Sequence, residues 1–452
     1  MRVLVVNTNR LKSPQTIIPF GACLVASSAE SAGHDVRFLD LCFDRHPANV
    51  IQRAAREFAP EVVGLSIRNL DSCDYLNPRS YLPEIRQIVA ACRRTCDAAI
   101  VLGGPAVSQA PEALVRYLGA DHAIAGEGEQ AFPALLGNVQ RSTLNVQHSK
   151  LSGVPDPQLS KWLDLRRYAA YQATMPIQTK RGCAFKCSYC VYPLLEGSEW
   201  RLFEPERVAD QVAGAKDSGL RMVEFVDSVF GMPATHSLEC CRAIEKLGNH
   251  LPLSALELNP SACSTDLMDA MNAAGFTAVG ITAESGSDAM LDRLNKGFTS
   301  DHLRQALKNL RQINAQRLWI FLIGAPGETE ATVRETVRFI EELPHSDLVF
   351  ITHGVRILPR TALRESLVAQ GIISADDELI QPTFYYSPDV TPQRVNKLLA
   401  ESSFPIRNVT TINDGGHPLI PLVQRIASTL SLEPPYWRYL PKINLIRRVT
   451  GL

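Results

Sequence analysis

Three of the eleven cysteines lie within eight residues, and their spacing is the strongest chemical signal in the chain. Residues 181–190 read Arg-Gly-Cys-Ala-Phe-Lys-Cys-Ser-Tyr-Cys, which places Cys183, Cys187 and Cys190 in a C-x3-C-x2-C pattern. Three thiolates on one loop can bind three irons of a four-iron four-sulfur (4Fe-4S) cluster and leave the fourth iron open. The alternatives are structural zinc and buried thiols. Structural zinc prefers four ligands in paired C-x2-C knuckles, and the next cysteine is Cys240.

The cysteine loop follows the first strand of an alternating series of predicted strands and helices. Short apolar runs predict six strands, separated by helical patterns, at 177–179, 222–226, 254–258, 278–282, 318–323 and 348–352. Six βα units are typical of a partial (β/α)6 barrel, whose functional groups lie at the carboxyl ends of the strands. The cysteines would then occupy the first βα loop of the barrel.

An earlier series of strands and helices predicts another α/β unit before the barrel. Strands are expected at 3–6, from 35, at 62–67, at 99–104 and from 122, which fits a doubly wound, Rossmann-like parallel sheet. Ligands of such sheets bind at the carboxyl ends of the strands. The candidate binding residues at those ends are Asn9, Arg68, Asn69, Gly103, Gly104, Gly126, Glu127 and Glu129.

These patterns divide the chain into four segments. We expect the Rossmann-like domain at 1–138, a polar linker at 139–173, the partial barrel at 174–363 and a mostly helical segment at 364–452. The basic tail at 438–448 is interpreted as a solvated helix.

The composition is that of a soluble globular protein, with 452 residues, 45% of them hydrophobic and 21% charged. A formal net charge of -1 favours neither nucleic acid nor an acidic membrane as a partner. The sequence shows no apolar stretch of membrane-spanning length and no signal-peptide pattern at its start. We therefore expect a cytoplasmic protein whose scattered cysteines are not paired in disulfides.

The cysteine loop and three later segments resemble the radical S-adenosylmethionine (SAM) superfamily. The segments are 224–230, 280–287 and 321–329, of which the last two resemble "GIESGS" and "FIxGxPGET". The resemblance implies that the open iron chelates SAM, that Tyr189 packs near the adenine, and that a donor such as flavodoxin supplies the electron. It also implies cofactor contacts, with surface or capping roles as the alternative for each single carboxylate, for Asp227, Glu257, Asn259, Glu284 and Ser285.

The first domain resembles the cobalamin-binding domain that precedes the radical SAM domain in one large subgroup. Four segments carry the resemblance: 19–28, 32–36, 101–108 and 126–132. Glycines at strand ends would let the backbone approach a large planar ligand. The D-x-H-x-x-G motif of a cobalt-ligating histidine is absent, and its nearest approach, 121–126, has the wrong spacing. We expect cobalamin without a histidine beneath the metal; the alternative is a degenerate domain that binds nothing.

The strand that ends near Ile67 continues into Arg-Asn-Leu-Asp, which is unusually polar for a buried sheet. This segment is similar to that of methyltransferases in the subgroup in which an arginine approaches cobalt without ligating it. The resemblance implies that Arg68 lies beneath the metal and, with Tyr189, belongs to the catalytic residues. The alternative is a salt bridge between Arg68 and Asp71 or Asp74.

The two resemblances together imply methyl transfer from SAM, through methylcobalamin, to an unactivated carbon of a small molecule or amino acid. Whether transfer is radical or polar stays open. Rearrangement or cyclisation without methyl transfer is a second hypothesis, and a non-enzymatic cobalamin sensor is a third. Tyr192, His353 and Arg356 lie at predicted strand or loop ends, where they would touch substrate or pack in the core.

Overall fold

The computed structural model describes residues 1–137, 156–411, 419–442 and 444, and it contains two large parallel sheets covered by helices. The first sheet has the strand order β2-β1-β3-β4-β5. Its strands are β1 (Arg2–Asn7), β2 (Asp35–Asp40), β3 (Val62–Ser66), β4 (Ala99–Gly103) and β5 (His122–Ala123). Its helices are α1 (Phe20–Ser31), α2 (Pro47–Phe58), α3 (Leu82–Arg93), α4 (Pro111–Leu118) and α5 (Gly128–Leu136). The predicted doubly wound α/β fold is confirmed.

Helices cover both faces of this sheet, which explains the uninterrupted apolar runs in its strands. Leu4 and Val6 of β1 pack in the cluster that includes residues of α2, α3 and α4. Val3 and Val5 point to the other face, where they pack with residues of α1 and α5. The strand order reverses between β1 and β3, so a crevice is expected at the carboxyl ends of these two strands.

The second sheet has seven parallel strands in the order β16-β13-β12-β11-β10-β9-β6. All six predicted strands are present, as β6 (Met175–Ile177), β9 (Val223–Phe225), β10 (Leu253–Leu258), β11 (Phe276–Glu284), β12 (Gln316–Ile323) and β13 (Leu348–His353). Two short antiparallel pairs accompany them, β7 (Lys180–Arg181) with β8 (Arg201–Leu202) and β14 (Val355–Arg356) with β15 (Phe384–Tyr385). The open barrel of the prediction is therefore confirmed, with one more strand than expected.

The seventh strand, β16 (Val409–Thr411), comes from the segment that we predicted to be mostly helical. It pairs with β13 through Val349 and Val409, Phe350 and Thr410, and Ile351 and Thr411. Three residues are too few to show a strand period, so only the pairing partner reveals this strand. Residues 443 and 445–448 of the basic tail lie outside the described residues.

Helices lie between the barrel strands, before them and after them. The predicted linker contains α6 (Leu159–Trp162) and α7 (Leu165–Ala169). The others are α8 (Tyr192–Glu196), α9 (Pro205–Gly214), α10 (Ala234–Glu245), α11 (Thr265–Ala273), α12 (Asp288–Arg293), α13 (Ser300–Leu310), α14 (Glu330–Glu341), α15 (Ala362–Ala369), α16 (Pro392–Glu401) and α17 (Leu419–Thr429). Across the described part of the chain, no helix is both long and apolar enough to cross a membrane.

The C-terminal segment packs against the barrel strands. Tyr436, Trp437 and Leu440 form one apolar cluster with the residues that begin strands β11 to β13, and the half-buried Leu256, Ile320 and Phe350 pack against that cluster. Gln424 of α17 also donates a hydrogen bond to the carbonyl of Pro14 in the first domain (3.0 Å). This segment therefore joins the barrel to the loop that follows β1.

Candidate cofactor and substrate cavity

The carboxyl ends of the first sheet face the interior of the barrel. Gln15, in the loop after β1, donates from Nε2 to Oε2 of Glu224 on β9 (2.9 Å). Arg68, directly after β3, lies close enough to Glu224 and Tyr192 for their charges to act on its pKa. The strand ends at which we expected ligands are thus brought together from both domains.

A cavity lies between these strand ends. Arg68 and Tyr192 are surrounded by protein on nearly all sides. Arg68 is nevertheless an exposed residue, and Tyr192 keeps 40% of its surface accessible. Val226, which follows β9, is 37% accessible although it belongs to the barrel. Because Arg68 and Tyr192 have protein on nearly all sides and still keep accessible surface, they line an internal space.

The predicted cluster loop lies at one side of this cavity, between β7 and α8. Its backbone is fixed by hydrogen bonds from the Ser188 N–H to Leu294 O (3.0 Å) and from the Leu363 N–H to Ser188 O (2.8 Å). Gly182, at φ +85°, is required here, because a Cβ atom would lie 2.0 Å from the carbonyl of Glu199. These contacts fix the shape of the loop that carries the three cysteines.

The three cysteines of this loop fit a cluster. Cys183 is buried, and Cys187 and Cys190 are half-buried thiols without a disulfide. The Tyr192 N–H points at Cys190 Sγ (3.5 Å), as is common around cluster sulfurs. Within the described ranges, no three Cys, His, Asp or Glu side chains converge as a single metal ion requires. A 4Fe-4S cluster does not require its cysteines to converge on one point, because each thiolate binds a different iron.

Beside the cysteine loop, Tyr189, Glu284 and Lys296 form a buried polar group. The Tyr189 hydroxyl donates to Glu284 Oε1 (2.7 Å), and Lys296 Nζ donates to the same oxygen (3.1 Å). Burial alone would lower the pKa of Lys296, but the Glu284 carboxylate raises it well above its usual range. Tyr189 and Glu284, which were each predicted to lie near SAM, are thus in contact with each other, and their contacts with SAM stay a prediction. Lys296 was missed, because nothing in its local sequence shows that its turn packs on the end of β11.

Glu257, near the end of β10, has an open carboxylate. Burial, and then the charges of Glu284 and Glu224, raise its pKa to about 7. Among the described residues, none donates a hydrogen bond to this carboxylate. Its position beside Tyr192 places it at the cavity, where it was predicted to meet a ligand.

Three of the predicted SAM-binding residues are engaged by the chain itself. The Asp227 carboxylate accepts from Thr179 N (2.8 Å), Thr179 Oγ1 (2.6 Å) and Lys180 Nζ (2.9 Å). Ser285 Oγ pairs with Thr336 Oγ1 (3.0 Å), which fixes helix α14 to the end of β11. Asn259 Oδ1 caps a turn by accepting from Ser261 N (2.9 Å). These contacts support the site from outside, so direct ligand contacts for these residues stay a prediction.

Among the first-domain candidates, the glycines leave room for a planar ligand. A Cβ atom at Gly103 would meet nothing within 4 Å, so the end of β4 is open. Gly104 has φ +102°, and its Cβ would lie 2.6 Å from the carbonyl of Ile67. The Gly126 N–H donates to Ser108 Oγ (2.8 Å), which holds the next loop beside them. The backbone here is shaped as a cobalamin-binding crevice requires.

Glu127 and Glu129 form ion pairs with arginines of the barrel. Arg201 Nη1 donates to Glu127 Oε2 (2.9 Å), and Arg181 Nη2 donates to Glu129 Oε1 (2.6 Å). These buried pairs join the first domain to the barrel. The backbone N–H of Asn9 donates to Asn7 Oδ1 (3.1 Å), which stabilises the turn that follows β1. Ligand contacts by these three side chains therefore stay a prediction.

Arg68 has no ion-pair partner within 4.0 Å among the residues described. Asp71 instead pairs with Arg356 (2.8 Å), and Asp74 accepts from the N–H of Leu76 (3.0 Å). The alternative interpretation, a salt bridge of Arg68 with either aspartate, is therefore wrong. Asn69 is the neighbour that Arg68 contacts, at 3.5 Å. Burial lowers the pKa of this guanidinium.

Of the three residues considered for substrate contact, only Tyr192 faces the cavity. The Arg356 guanidinium is bound by the protein itself, since it pairs with Asp71 and donates to the carbonyls of Leu379 (2.8 Å) and Gln381 (2.7 Å). His353 is buried and stacks on Tyr386. Burial lowers the pKa of His353 to about 4. Arg356 and His353 therefore hold the rim of the barrel.

Comparisons with known proteins agree with this geometry. The family model for the B12 binding domain matches residues 6–136, and that for the Radical SAM superfamily matches residues 177–340. The chain belongs to the cobalamin-dependent radical SAM enzymes, whose cofactors are cobalamin, SAM and a 4Fe-4S cluster. The predicted family, enzyme class and cofactors are confirmed.

Its relatives include several methyltransferases. Tryptophan 2-C-methyltransferase of Streptomyces laurentii is 26% identical, over 81% of this chain and 74% of the relative. Cytidylyl-2-hydroxyethylphosphonate methyltransferase of Streptomyces wedmorensis is 22% identical, over 82% of each. The structure of the methyltransferase TsrM from Kitasatospora setae, with tryptophan and a SAM analogue, superimposes with a TM-score of 0.85, covering 100% of this chain and 99% of TsrM at 22% identity. That likeness shows a shared fold.

Proposed function

We propose that this enzyme transfers a methyl group from SAM, through cobalamin, to a carbon atom of a small molecule. The observation that carries the proposal is the cavity, to which the end of β3 with Arg68 and the cysteine loop both contribute. The methyltransferase relatives support it as well. When bound, cobalamin supplies a cobalt that can carry the methyl group.

In this proposal each part of the cavity has one task. Cys183, Cys187 and Cys190 bind the cluster, and the Tyr189–Glu284–Lys296 group and Glu257 orient SAM beside it. The backbone of Gly103, Gly104 and Gly126 receives the corrin. A donor such as flavodoxin supplies electrons, and the cytoplasm is the expected compartment.

In this proposal Arg68 would be one of the residues that contact bound cobalamin. A guanidinium carries only N–H donors, so it would offer no lone pair to the metal. It stays protonated even where burial lowers its pKa, and a fixed positive charge there would disfavour donation of further electron density to the metal. Because Arg68 has no ion pair with a described residue, its charge is not already neutralised.

The experiment is anaerobic turnover with methyl-labelled SAM and a panel of small molecules that includes L-tryptophan. Methyl transfer predicts S-adenosylhomocysteine together with a labelled product. Accumulation of 5'-deoxyadenosine without S-adenosylhomocysteine would instead support rearrangement or cyclisation. Binding of cobalamin with neither product would support the sensor hypothesis and contradict the proposal.

A further inference from the structure

Glu224 is a buried carboxylate that the proposed roles leave unused. It lies on β9 and is 7% exposed. One oxygen, Oε2, accepts hydrogen bonds from Gln15 Nε2 and Thr174 Oγ1, both at 2.9 Å. The other oxygen, Oε1, accepts none from any residue that the structure describes. The side chain is thus held in one orientation with one oxygen left open.

Neither cation of the cavity neutralises Glu224. Arg68 acts on its charge but lies beyond the 4.0 Å of an ion pair, and Lys296 is taken by Glu284 at 3.1 Å. Glu257, the next carboxylate, adds negative charge to the same region. Burial raises the pKa of Glu224, and the hydrogen bonds from Gln15 and Thr174 and the charge of Arg68 offset this only in part. A cationic ligand beside Glu224 would therefore stabilise its carboxylate form.

The position of Glu224 separates it from the SAM side of the cavity. Tyr189, Glu284 and Lys296 lie beside the cysteine loop, whereas Glu224 is bonded to Gln15 of the first domain and faces Arg68. Neighbouring strands contribute the half-buried apolar side chains Leu256, Ile320 and Phe350 to the barrel. These side chains pack against the cluster of Tyr436 and Trp437 and keep part of their surface accessible, so a ligand that enters the barrel would meet apolar side chains as well as Glu224.

We propose that Glu224 binds the substrate through a protonated amine, so that the substrate is an apolar or aromatic molecule bearing one ammonium group. The inference rests on the proposed function, because it assigns the substrate of that same cavity. Glu224 Oε1 accepts the hydrogen bond of the ammonium group, and Gln15 and Thr174 keep the carboxylate in place. A charge-assisted hydrogen bond of this kind is stronger than a neutral one.

The test is calorimetric binding of two matched probes to holoenzyme loaded with cobalamin and cluster. Tryptamine carries the ammonium group, and indole-3-ethanol replaces it with a neutral hydroxyl. We expect wild type to bind tryptamine about tenfold more tightly than indole-3-ethanol. Glu224→Gln should abolish this preference, whereas Glu239→Gln, at an exposed position on α10, should keep it.

Three results would overturn the proposal: equal affinity of the probes in wild type, binding of neither, or a preference that persists in Glu224→Gln. A loss of SAM affinity in Glu224→Gln with the tryptamine preference intact would place Glu224 at SAM and also overturn it. If Glu224→Gln does not load cobalamin, Glu224→Asp decides, because its shorter side chain should weaken the preference. If wild type still forms S-adenosylhomocysteine in turnover with SAM, a negative binding result contradicts only the role of Glu224 and leaves the proposed methyl transfer standing.

Discussion

Glu257 makes the stability of the barrel depend on pH. Its carboxyl has a raised pKa of about 7, first because of burial and then because of Glu284 and Glu224. A carboxyl whose folded pKa is raised binds its proton more tightly in the folded state, so its contribution is present at low pH and is lost as pH rises through about 7. Glu257→Gln keeps the shape of the protonated form and removes the ionisation.

The size of the effect follows from the displacement of the pKa. A shift of the pKa from 4.5 to about 7 corresponds to about 3.5 kcal/mol, at about 1.4 kcal/mol per unit. Glu257 is half-buried and opens to the cavity, so solvent reduces this to about 1–2 kcal/mol. We expect Glu257→Gln to match wild type at pH 5 and to be more stable by that amount at pH 8. For a domain of this size, the gain is roughly 2–8 °C in Tm.

Thermal unfolding followed by circular dichroism, without SAM, measures this difference at both pH values. Glu239→Gln is the matched control, because this exposed carboxylate should leave Tm within about 1 °C of wild type at either pH. A Tm difference between Glu257→Gln and wild type that is the same at pH 5 and pH 8 would refute the reasoning. So would a Glu257→Gln variant that is less stable at pH 8.

Three further outcomes are expected. Replacing the three loop cysteines by alanine should remove the optical and electron paramagnetic resonance signals of the cluster while cobalamin still binds; a cluster that persists would contradict the assignment. Wild-type cob(II)alamin should show no nitrogen superhyperfine splitting, and Arg68→His should introduce it by placing an imidazole below the cobalt. Arg356→Met should leave the Asp71 carboxylate buried without its partner, and urea titrations should show a free energy of unfolding lower by about 3 kcal/mol. The control Arg334→Met breaks an exposed pair with Glu330 and should lower the free energy of unfolding by less than about 1 kcal/mol.

The class of the enzyme could be predicted from local sequence patterns alone. The C-x3-C-x2-C loop after a strand, the glycine-rich strand ends and two alternating β/α series are local patterns, and each can be read without knowing its neighbours. The same holds for the six barrel strands, whose apolar runs are long enough to show a pattern. Strand β16, with three residues, shows none, because its stability comes from pairing with β13.

Which polar side chains face the cavity depends on contacts between segments that are distant in sequence. Asp227, Glu127 and Glu129 resemble ligand-binding residues in sequence, but Lys180, Arg201 and Arg181 approach them from elsewhere in the chain and engage them. Arg356, 285 residues further along the chain, pairs with Asp71. Asp71 is therefore not available to Arg68, whose guanidinium has no ion pair among the described residues. The role of a buried charged residue depends on the charged group that packs against it, and a partner distant in sequence leaves no local signal. For the same reason, the open oxygen of Glu224 is visible only once both domains are in place.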